Sequence, residues 1–365
     1  MAQFEWHRAV IKIGSALIAP EGYRCSNKYL LAIASFIASS REQGKEVLLV
    51  SSGSVAAGRG NIKHKNHPSI VEKQAMAAIG QTRMMANWSA LFDVPCAQIL
   101  LTSDDLHNRT RYVNIKNTLR TLLENGALPI INENDTVATN ELRVGDNDNL
   151  AAYTALVAQA DTLIICSDID GLYTADPRSH KDASLIPVVE TIDATIHALA
   201  GGAGSNVGTG GMRTKLQAAE KCGQSGIQTL IVNGRKAEVF HKLAQGELQG
   251  TLFKPAKNRD NARSQWLKHT LKSSGKLQID QGAKQALLQK GASLLPSGIS
   301  NVIGNFKPGE AVEIECDGQV IAKGLVLYSP VDLRAIKGQK SDKIESILGY
   351  SYGEAVVHRD DMVLL

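Results

Sequence analysis

Short apolar runs alternate with longer helical patterns through residues 1–253, and no other feature constrains the fold as strongly. Apolar runs that are continuous and separated by helices indicate a parallel sheet buried on both faces. The sequence therefore predicts an α/β fold with an open, mainly parallel sheet sandwiched by helices. The predicted strands are Ala9–Ile13, Glu46–Val50, Ala97–Leu101, Leu128–Ile131, Thr162–Cys166 and Gln228–Val232. The predicted helices include Lys28–Ser39, Val71–Leu91, Tyr112–Leu123 and Leu150–Ala160.

The sequence changes character near Lys276, where short runs and recurring glycines replace the long helical patterns. KPGEAVEIECDGQVIAKGLVLY (307–328) predicts two strands joined by a turn at Asp317-Gly318, and such short strands are typical of a small β-rich domain. Residues 254–275 hold six Lys or Arg and one Asp, which is typical of a linker or a surface helix. We predict a first domain over 1–257, a basic linker over 258–275 and a second domain over 276–365.

The composition is that of a globular protein, with 43% hydrophobic and 21% charged residues. Five cysteines are an odd number and form no C-x-x-C pair, so neither a disulfide framework nor a zinc site is indicated. Glu5 and Lys12 interrupt the apolar core that a signal peptide needs, and no stretch is apolar for the length of a membrane helix. We expect a cytoplasmic protein with no membrane partner.

Polar residues gather where four of the predicted strands end. The clusters are Gly14-Ser15, Ser51-Ser52-Gly53, Asn132-Glu133-Asn134-Asp135 and Ser167-Asp168. Open parallel sheets bind ligands outside the carboxyl ends of their strands, so we expect these clusters to form one polar cleft.

A glycine-rich segment, VGTGGMRTK (207–215), precedes a helical pattern. Glycines allow close approach of an anion to the backbone, and a helix N-terminus offers free N–H groups. Lys215 stands about one turn inside the helix, where its side chain can lean back over a bound anion. A phosphate site and a flexible connector are both compatible with the glycines, and no Walker A ending is present. The lysine favours the phosphate site.

Lys12 lies inside the first predicted strand, although buried parallel strands normally exclude a charge. An edge position or a snorkelling side chain is one explanation. Its position near the carboxyl end of the strand, beside Gly14-Ser15, favours a functional cation in the cleft.

The stretch VGDNDNL (144–150) places two carboxylates and two amides ahead of an apolar run. A solvated turn and a calcium loop are alternatives to a functional role. The calcium loop fails because Leu150 stands where the third oxygen ligand belongs and no glycine follows it. Since the stretch follows the third polar cluster and precedes a helix, we favour side chains that cap the helix and face the cleft.

Six motifs together resemble the amino-acid kinase family, in particular its members that phosphorylate the side-chain carboxylate of glutamate. They are KIGSA (12–16), SSGSVAAGR (51–59), INENDTVAT (131–139), VGDNDNLAA (144–152), SDIDGLYTADPR (167–178) and GTGGMRTK (208–215). Family members that act on N-acetylglutamate or aspartate are less similar at NENDTVAT and GDNDNL. The C-terminal block resembles a PUA domain through SLLPSGI (293–299), LGYSYG (348–353) and VVHRDDM (356–362).

The resemblance implies transfer of the ATP γ-phosphoryl group to L-glutamate, with Mg²⁺, as the first step of proline biosynthesis. It implies that Lys12 and Lys215 stabilise the transferring group and that Asp148 holds both lysines. It further implies that Asp146 supports the substrate loop, and we interpret Asn149 as a helix cap. The implied glutamate-binding residues are Ser52, Asp135 and Asn147, with Asn134 nearby. The implied nucleotide-binding residues are Lys12, Ser167, Asp168, Thr209, Gly210, Gly211, Met212, Arg213, Thr214 and Lys215, and no protein metal ligand is implied.

The resemblance also implies partners and control. We expect feedback inhibition by proline, a homo-oligomer (dimer or tetramer) and hand-over of the product to glutamyl phosphate reductase. The alternatives are a kinase for a related acidic amino acid and an RNA-binding protein that acts through the PUA-like domain. Residues 276–365 hold ten Lys or Arg against eleven Asp or Glu, which argues against RNA because RNA affinity depends on neutralising phosphates.

Overall fold

The computed structural model describes residues 4–64, 67–138, 147–200, 211–255 and 273–365. The chain divides into two compact units, of which the first comprises Met1–Leu106 and Thr118–Arg259 and the second His107–Asn117 and Asp260–Leu365. The predicted linker lies mostly outside the described residues, so its boundaries stay predictions.

The first unit is built on an eight-stranded sheet with the order β3-β4-β2-β1-β5-β7-β8-β6. Its neighbouring strands are parallel except for the antiparallel pair β7 and β8. This confirms the predicted open, mainly parallel sheet. The strands are β1 (Arg8–Ile13), β2 (Glu46–Ser51), β3 (Cys96–Leu101), β4 (Leu128–Glu133), β5 (Thr162–Ser167), β6 (Val188–Val189), β7 (Gln228–Asn233) and β8 (Thr251–Phe253).

The four predicted helices are confirmed, with their ends moved by a few residues, and further helices lie between and after them. The helices up to residue 244 are α1 (Ser15–Ile18), α2 (Leu30–Glu42), α3 (Ser54–Gly58), α4 (Ile70–Ser89), α5 (Ser103–His107), α6 (Arg109–Glu124), α7 (Asn147–Val157), α8 (Ala194–Leu199), α9 (Met212–Gln224) and α10 (Ala237–Ala244). A 3₁₀ turn, Arg59–Asn61, follows α3. Helix α4 begins at a capping box, because Ser69 and Glu72 each bond the other's backbone N–H.

The two faces of this sheet are covered by different helices. Ile11 and Ile13 of β1 point into an apolar cluster with residues of α2 and α10, and we call this side the α2 face. Side chains alternate across a strand, so Lys12 between them points to the opposite side. That side, the α7 face, is packed by α7 against β1, β2, β4 and β5 and by α9 against β5 and β7. Lys12 therefore points toward the side of the sheet that α7 and α9 cover.

The second unit has a separate five-stranded sheet with the order β10-β9-β11-β12-β13, which confirms the predicted β-rich block. β11 and β12 form the predicted hairpin, with positive φ at Asp317 (48°) and Gly318 (76°) in its turn. The strands are β9 (Gly275–Ile279), β10 (Ile299–Gly304), β11 (Ala311–Cys316), β12 (Gln319–Leu325) and β13 (Met362–Leu364). Around them lie α11 (Gln281–Lys290), α12 (Pro330–Ile336), α13 (Ile344–Leu348) and the 3₁₀ turns Pro296–Gly298, Ser341–Lys343 and Arg359–Asp361.

The core of the second unit includes Val113, a residue of the 107–117 segment, together with Leu277, Ile314 and Tyr328. All five cysteines of the chain are free thiols. None of the helices in the described ranges is both long and apolar enough to cross a membrane.

Candidate active site

A cleft of about 1820 Å³ opens in the first unit where the parallel strands end. Gly14 follows β1, Ser52 follows β2, Asp135 lies in the turn after β4 and Asp168 follows β5, and all four line the cleft. The polar clusters predicted from the sequence therefore meet at one edge of the sheet. β1 pairs with β2 on one side and β5 on the other, which makes this the point where strand order reverses and where such sheets bind ligands.

Two lysines share one aspartate on the wall of the cleft. Lys12 Nζ lies 2.5 Å from Asp148 Oδ1, and Lys215 Nζ lies 3.0 Å from Asp148 Oδ2. The three residues come from β1, α9 and α7, and each is at most 5% exposed. Two cations and one anion leave a net positive charge in a site that water screens poorly, so the group is suited to an anionic ligand.

The aspartate of this group stays ionised because its two lysines outweigh its burial. Burial alone would raise the pKa of the Asp148 carboxyl, but the ammonium groups of Lys12 and Lys215 hold that pKa below its ordinary value. Thr214 adds a hydrogen bond, since its Oγ1 lies 2.9 Å from Asp148 Oδ2 and 2.8 Å from the Gly211 carbonyl. Asp148 therefore fixes both ammonium groups and the first turn of α9.

Part of the predicted phosphate loop can be located. Helix α9 begins at Met212 after Gly211, whose backbone is extended, and Gly211, Met212 and Lys215 line the cleft. Arg213 is in the same first turn. Thr209 and Gly210 lie outside the described residues, as does Asp146.

The carboxylate of Asp135 is positioned by α3. Ser54 Oγ donates to Asp135 Oδ2 at 2.8 Å, and Ser54 is buried. Helix α3 starts after Gly53, which has a φ of 101° and whose added Cβ would lie 3.0 Å from the Ile18 side chain. A residue with a side chain is disfavoured there by both conformation and space. The SSGS sequence thus sets Ser52 and Ser54 at the cleft through a turn that favours glycine.

Helix α3 is held in turn by an unusually close crossing with α4. A Cβ on Gly58 would lie 1.9 Å from the Met76 carbonyl oxygen, and one on Gly80 would lie 1.8 Å from that of Ser54. These glycines allow the two backbones to touch, so α4 supports the residue that orients Asp135.

Asn147, the first residue of α7, also lines the cleft. Its Nδ2 donates to Asn132 Oδ1 at 2.8 Å and to the Ser51 carbonyl at 3.3 Å. Asn134 lies outside the lining of the cleft, whereas Asn132, two residues earlier and buried, lines it. The predicted glutamate residues Ser52, Asp135 and Asn147 therefore all line the cleft, and Asn134 lies next to Asp135 in the chain without lining it.

The interpretation of Asn149 as a helix cap is wrong. Helix α7 already begins at Asn147, so Asn149 is its third residue. Its Oδ1 accepts a hydrogen bond from Lys221 of α9 at 3.1 Å, and it thereby joins two helices.

Ser167 and Asp168, predicted to contact nucleotide, line the cleft at the end of β5. Asp168 Oδ2 lies 3.7 Å from Arg235. Asp170, which the sequence reasoning did not single out, accepts from Asn233 at 3.0 Å and lies 2.6 Å from Lys236 Nζ. Burial by itself would raise the pKa of the Asp170 carboxyl. Hydrogen bonds from Lys236, Asn233 and Tyr173 lower that pKa by more than burial raises it, so the pKa lies below its ordinary value.

Comparison with known proteins supports the resemblance of each part of the chain to the family that its motifs indicated. A model of the amino acid kinase family matches residues 7–233, and a model of the PUA domain matches residues 275–348. Among solved structures, the UMP kinase of Bacillus anthracis superposes with a TM-score of 0.47 at 18% identity, over 69% of this chain and 97% of that one. The chain belongs to the amino acid kinase family and carries a PUA domain.

Two curated relatives indicate which members of the family this chain resembles. The glutamate 5-kinase of Idiomarina loihiensis is 55% identical over 364 residues, covering 99% of this chain and 98% of that protein. The glutamate 5-kinase of Salinibacter ruber is 52% identical over 367 residues, with the same shares covered. These similarities confirm the resemblance that the six motifs indicated.

Proposed function

We propose that this protein transfers the γ-phosphoryl group of ATP to the side-chain carboxylate of L-glutamate, giving glutamyl 5-phosphate and ADP. The observation that carries the proposal is the pair Lys12 and Lys215 on Asp148, in the same cleft as Asp135 and Asn147. A kinase of this type needs cations where phosphate charge spreads and a polar pocket that holds the acceptor in line. The curated relatives, named glutamate 5-kinase, support the same acceptor.

The chemistry needs little beyond positioning and charge. The glutamate carboxylate is already ionised at neutral pH, so no general base is required. One of its oxygens forms a bond to the γ-phosphorus while the bond from that phosphorus to the β–γ bridging oxygen breaks. Lys12 and Lys215 stabilise the charge on the transferring group, and Asp148 keeps both ammonium groups in place. Asp148 thus acts as a positioning residue.

Glutamate lies against Ser52, Asp135 and Asn147 in this proposal. The Asp135 carboxylate, oriented by Ser54, pairs with the α-ammonium group of the substrate. Asn134 stays a prediction, and its position outside the cleft lining gives it a supporting role at most.

The nucleotide lies against Ser167, Asp168 and the segment from Thr209 to Lys215, of which residues 211–215 are described. Within the described ranges, no three His, Cys, Asp or Glu side chains converge as a metal site, and Asp148 is held by two lysines. We therefore assign Mg²⁺ to the ATP phosphates, where it neutralises charge when bound.

The remaining predictions concern control and context. Proline carries the same α-carboxylate and a cationic amine, so it can occupy part of the glutamate pocket. Rising glutamate should then relieve the inhibition. A homo-oligomer, hand-over of product to glutamyl phosphate reductase and a cytoplasmic location complete the proposal, and sedimentation of the purified protein tests the first of these.

The test of the function is ADP release with Mg²⁺ and ATP, measured with L-glutamate, L-aspartate and N-acetyl-L-glutamate as separate acceptors. We expect turnover with L-glutamate to exceed that with the other two by at least tenfold. A preference for either of the others would identify a kinase for a related acidic amino acid.

A further inference from the structure

A chain of side-chain amides runs from the cleft to the edge of the sheet. Asn147 donates to Asn132 at 2.8 Å, and Asn132 Nδ2 donates to Gln81 Oε1 at 2.9 Å. Gln81 Nε2 then donates to Gln98 Oε1 at 3.3 Å. Gln81 and Asn132 are buried, at 7% and 2% exposure, whereas Gln98 is exposed on β3. The two middle amides are therefore shielded from water.

The direction of this chain is set by a group that cannot reverse. Asn147 faces the backbone carbonyl of Ser51, which is only an acceptor, so the Asn147 group on that side must be the NH₂. The same NH₂ meets Asn132, which must present its oxygen and turn its own NH₂ toward Gln81. Gln81 must in turn present its oxygen to Asn132. Each amide orientation thus follows from the previous one.

This direction restricts what Asn147 can offer to a ligand. An asparagine side chain has two N–H donors and one oxygen, and the Ser51 carbonyl and Asn132 use both donors. Only the acceptor Oδ1 is left for a ligand. With the Asp135 carboxylate in the same cleft, two acceptors face one substrate, and such a pair matches a cationic ammonium group.

We infer that Gln81 is a positioning residue for specificity: its oxygen holds the Asn132 amide so that the Asn132 oxygen occupies the second N–H of Asn147, which leaves Asn147 Oδ1 as the acceptor for the α-ammonium group of the substrate. The inference rests on the proposed function for the identity of that substrate. The inference extends the proposed function by naming the substrate group that Asn147 recognises. It also names a residue outside the cleft lining that controls this recognition.

Helix α4 is built to hold Gln81 in place. Gly80, the preceding residue, lies at the close crossing with α3. One turn and two turns further along, Met84 and Trp88 contact the Ser51 hydroxyl, with Trp88 Nε1 donating to Ser51 Oγ at 2.9 Å. The same helix therefore fixes both ends of the arrangement: Gln81 behind Asn132, and the residue whose carbonyl orients Asn147.

The test compares L-glutamate with glutarate, which lacks the α-ammonium group, in the full-length protein. Gln81→Met keeps the length of the side chain but removes the acceptor for Asn132, so that Asn132 can reverse and Asn147 loses one of the two acceptors that hold its orientation. We expect the preference for L-glutamate over glutarate to fall by roughly tenfold or more, the range for a hydrogen bond to a charged group. Preference is measured as the ratio of the glutarate inhibition constant to the glutamate KM, which does not depend on how much protein is folded.

Two variants complete the design. Gln81→Glu retains an acceptor toward Asn132 whether or not it is ionised, and we expect it to keep the preference within about threefold of the original, since the hydrogen bond to Asn132 is preserved. Gln43→Met makes the same substitution at an exposed glutamine of the first unit, and the preference should not change. Gln81→Leu repeats the removal of the acceptor with a different shape.

The outcomes separate the inference from the proposed function. An original protein without glutamate-dependent ADP release would refute the function itself. A glutamate-active protein in which Gln81→Met and Gln81→Leu retain the full preference, or lose affinity for glutamate and glutarate equally, would overturn the role of Gln81 alone. Loss of the preference in Gln81→Glu as well would show that packing, and not amide direction, is what Gln81 supplies.

Discussion

The two faces of the sheet in the first unit are both buried, yet a buried ionisable group stays neutral on one face and charged on the other. On the α2 face, Cys166 packs among apolar side chains, and burial raises the pKa of its thiol to about 12, so the group stays neutral. On the α7 face, Asp148 is equally buried, but two lysines keep its pKa below the ordinary value and it stays charged.

The difference shows which buried charge indicates function. A buried carboxylate with one cation is neutralised, and its pair is often no better for stability than apolar residues. Asp148 instead holds two cations at the rim of a cleft, so the group keeps a net positive charge that only an anion can balance. Changes on the α7 face should therefore alter kinetics, and changes on the α2 face should alter stability.

The largest effect is expected from Lys215→Ala. The loss of one cation that stabilises the transferring phosphoryl group should lower kcat by about two to three orders of magnitude, with a much smaller change in the glutamate KM. Lys221→Ala is the matched control on the same helix, because Lys221 contacts Asn149 and the Tyr153 ring. Steady-state kinetics decides, and equal kcat values for the two variants would remove Lys215 from the chemistry.

Asp135→Ala should raise the glutamate KM by roughly ten- to hundredfold, because the charged hydrogen bond to the ammonium group is lost. The ATP KM should stay close to its original value. Ser54→Ala should shift the glutamate KM in the same direction by less, since it only frees the Asp135 carboxylate to move. If the ATP KM rose instead, the two substrate sites would be reversed.

On the α2 face, Ile37→Val removes one methylene from a fully buried side chain. The free energy of unfolding should fall by about 0.5–1.5 kcal/mol, while both KM values and kcat stay unchanged. Denaturant unfolding and kinetics on the same preparation check this. A changed kcat without a change in stability would contradict the separation between the faces.

The smallest effect is expected from pH near neutrality. Because the folded-state pKa of Asp148 is lowered, its stabilising contribution is complete above the unfolded pKa of about 4 and is lost as pH falls through the folded value. The difference in unfolding free energy between the original protein and Asp148→Asn should be constant from about pH 5 to 7 and shrink below about pH 4. A difference that changes between pH 5 and 7 would mean that the pKa of Asp148 is raised.

The sequence predicts the sheet and the cleft because their signals are local. The continuous apolar runs identify β1, β2, β4, β5 and β7 almost to the residue, and the polar residues at their ends identify one edge. Lys12 stands out because a charge inside such a run is rare. These inferences need only periodicity and the rule that parallel strands end at a common edge.

What the sequence does not predict depends on contacts between distant elements. Nothing near Gln81 marks it as the partner of Asn132, 51 positions away, and nothing in the sequence shows that Asn132 lines the cleft whereas Asn134 does not. Asn149 has the composition of a cap, but a lysine on another helix decides its role. The glycines at 58 and 80 are visible as residues, whereas their close crossing is not.

The most direct test of the central claim is to trap the product. In a reaction that contains Mg²⁺, ATP and L-glutamate, added hydroxylamine converts a γ-carboxyl phosphate into glutamyl hydroxamate. Mass spectrometry then identifies which carboxyl group carries the hydroxamate. We predict γ-hydroxamate in proportion to ADP for the original protein and for Lys221→Ala, and at least a hundredfold less for Lys215→Ala. ADP release without hydroxamate, or hydroxamate undiminished in Lys215→Ala, would contradict phosphoryl transfer to glutamate by the charged group on the α7 face.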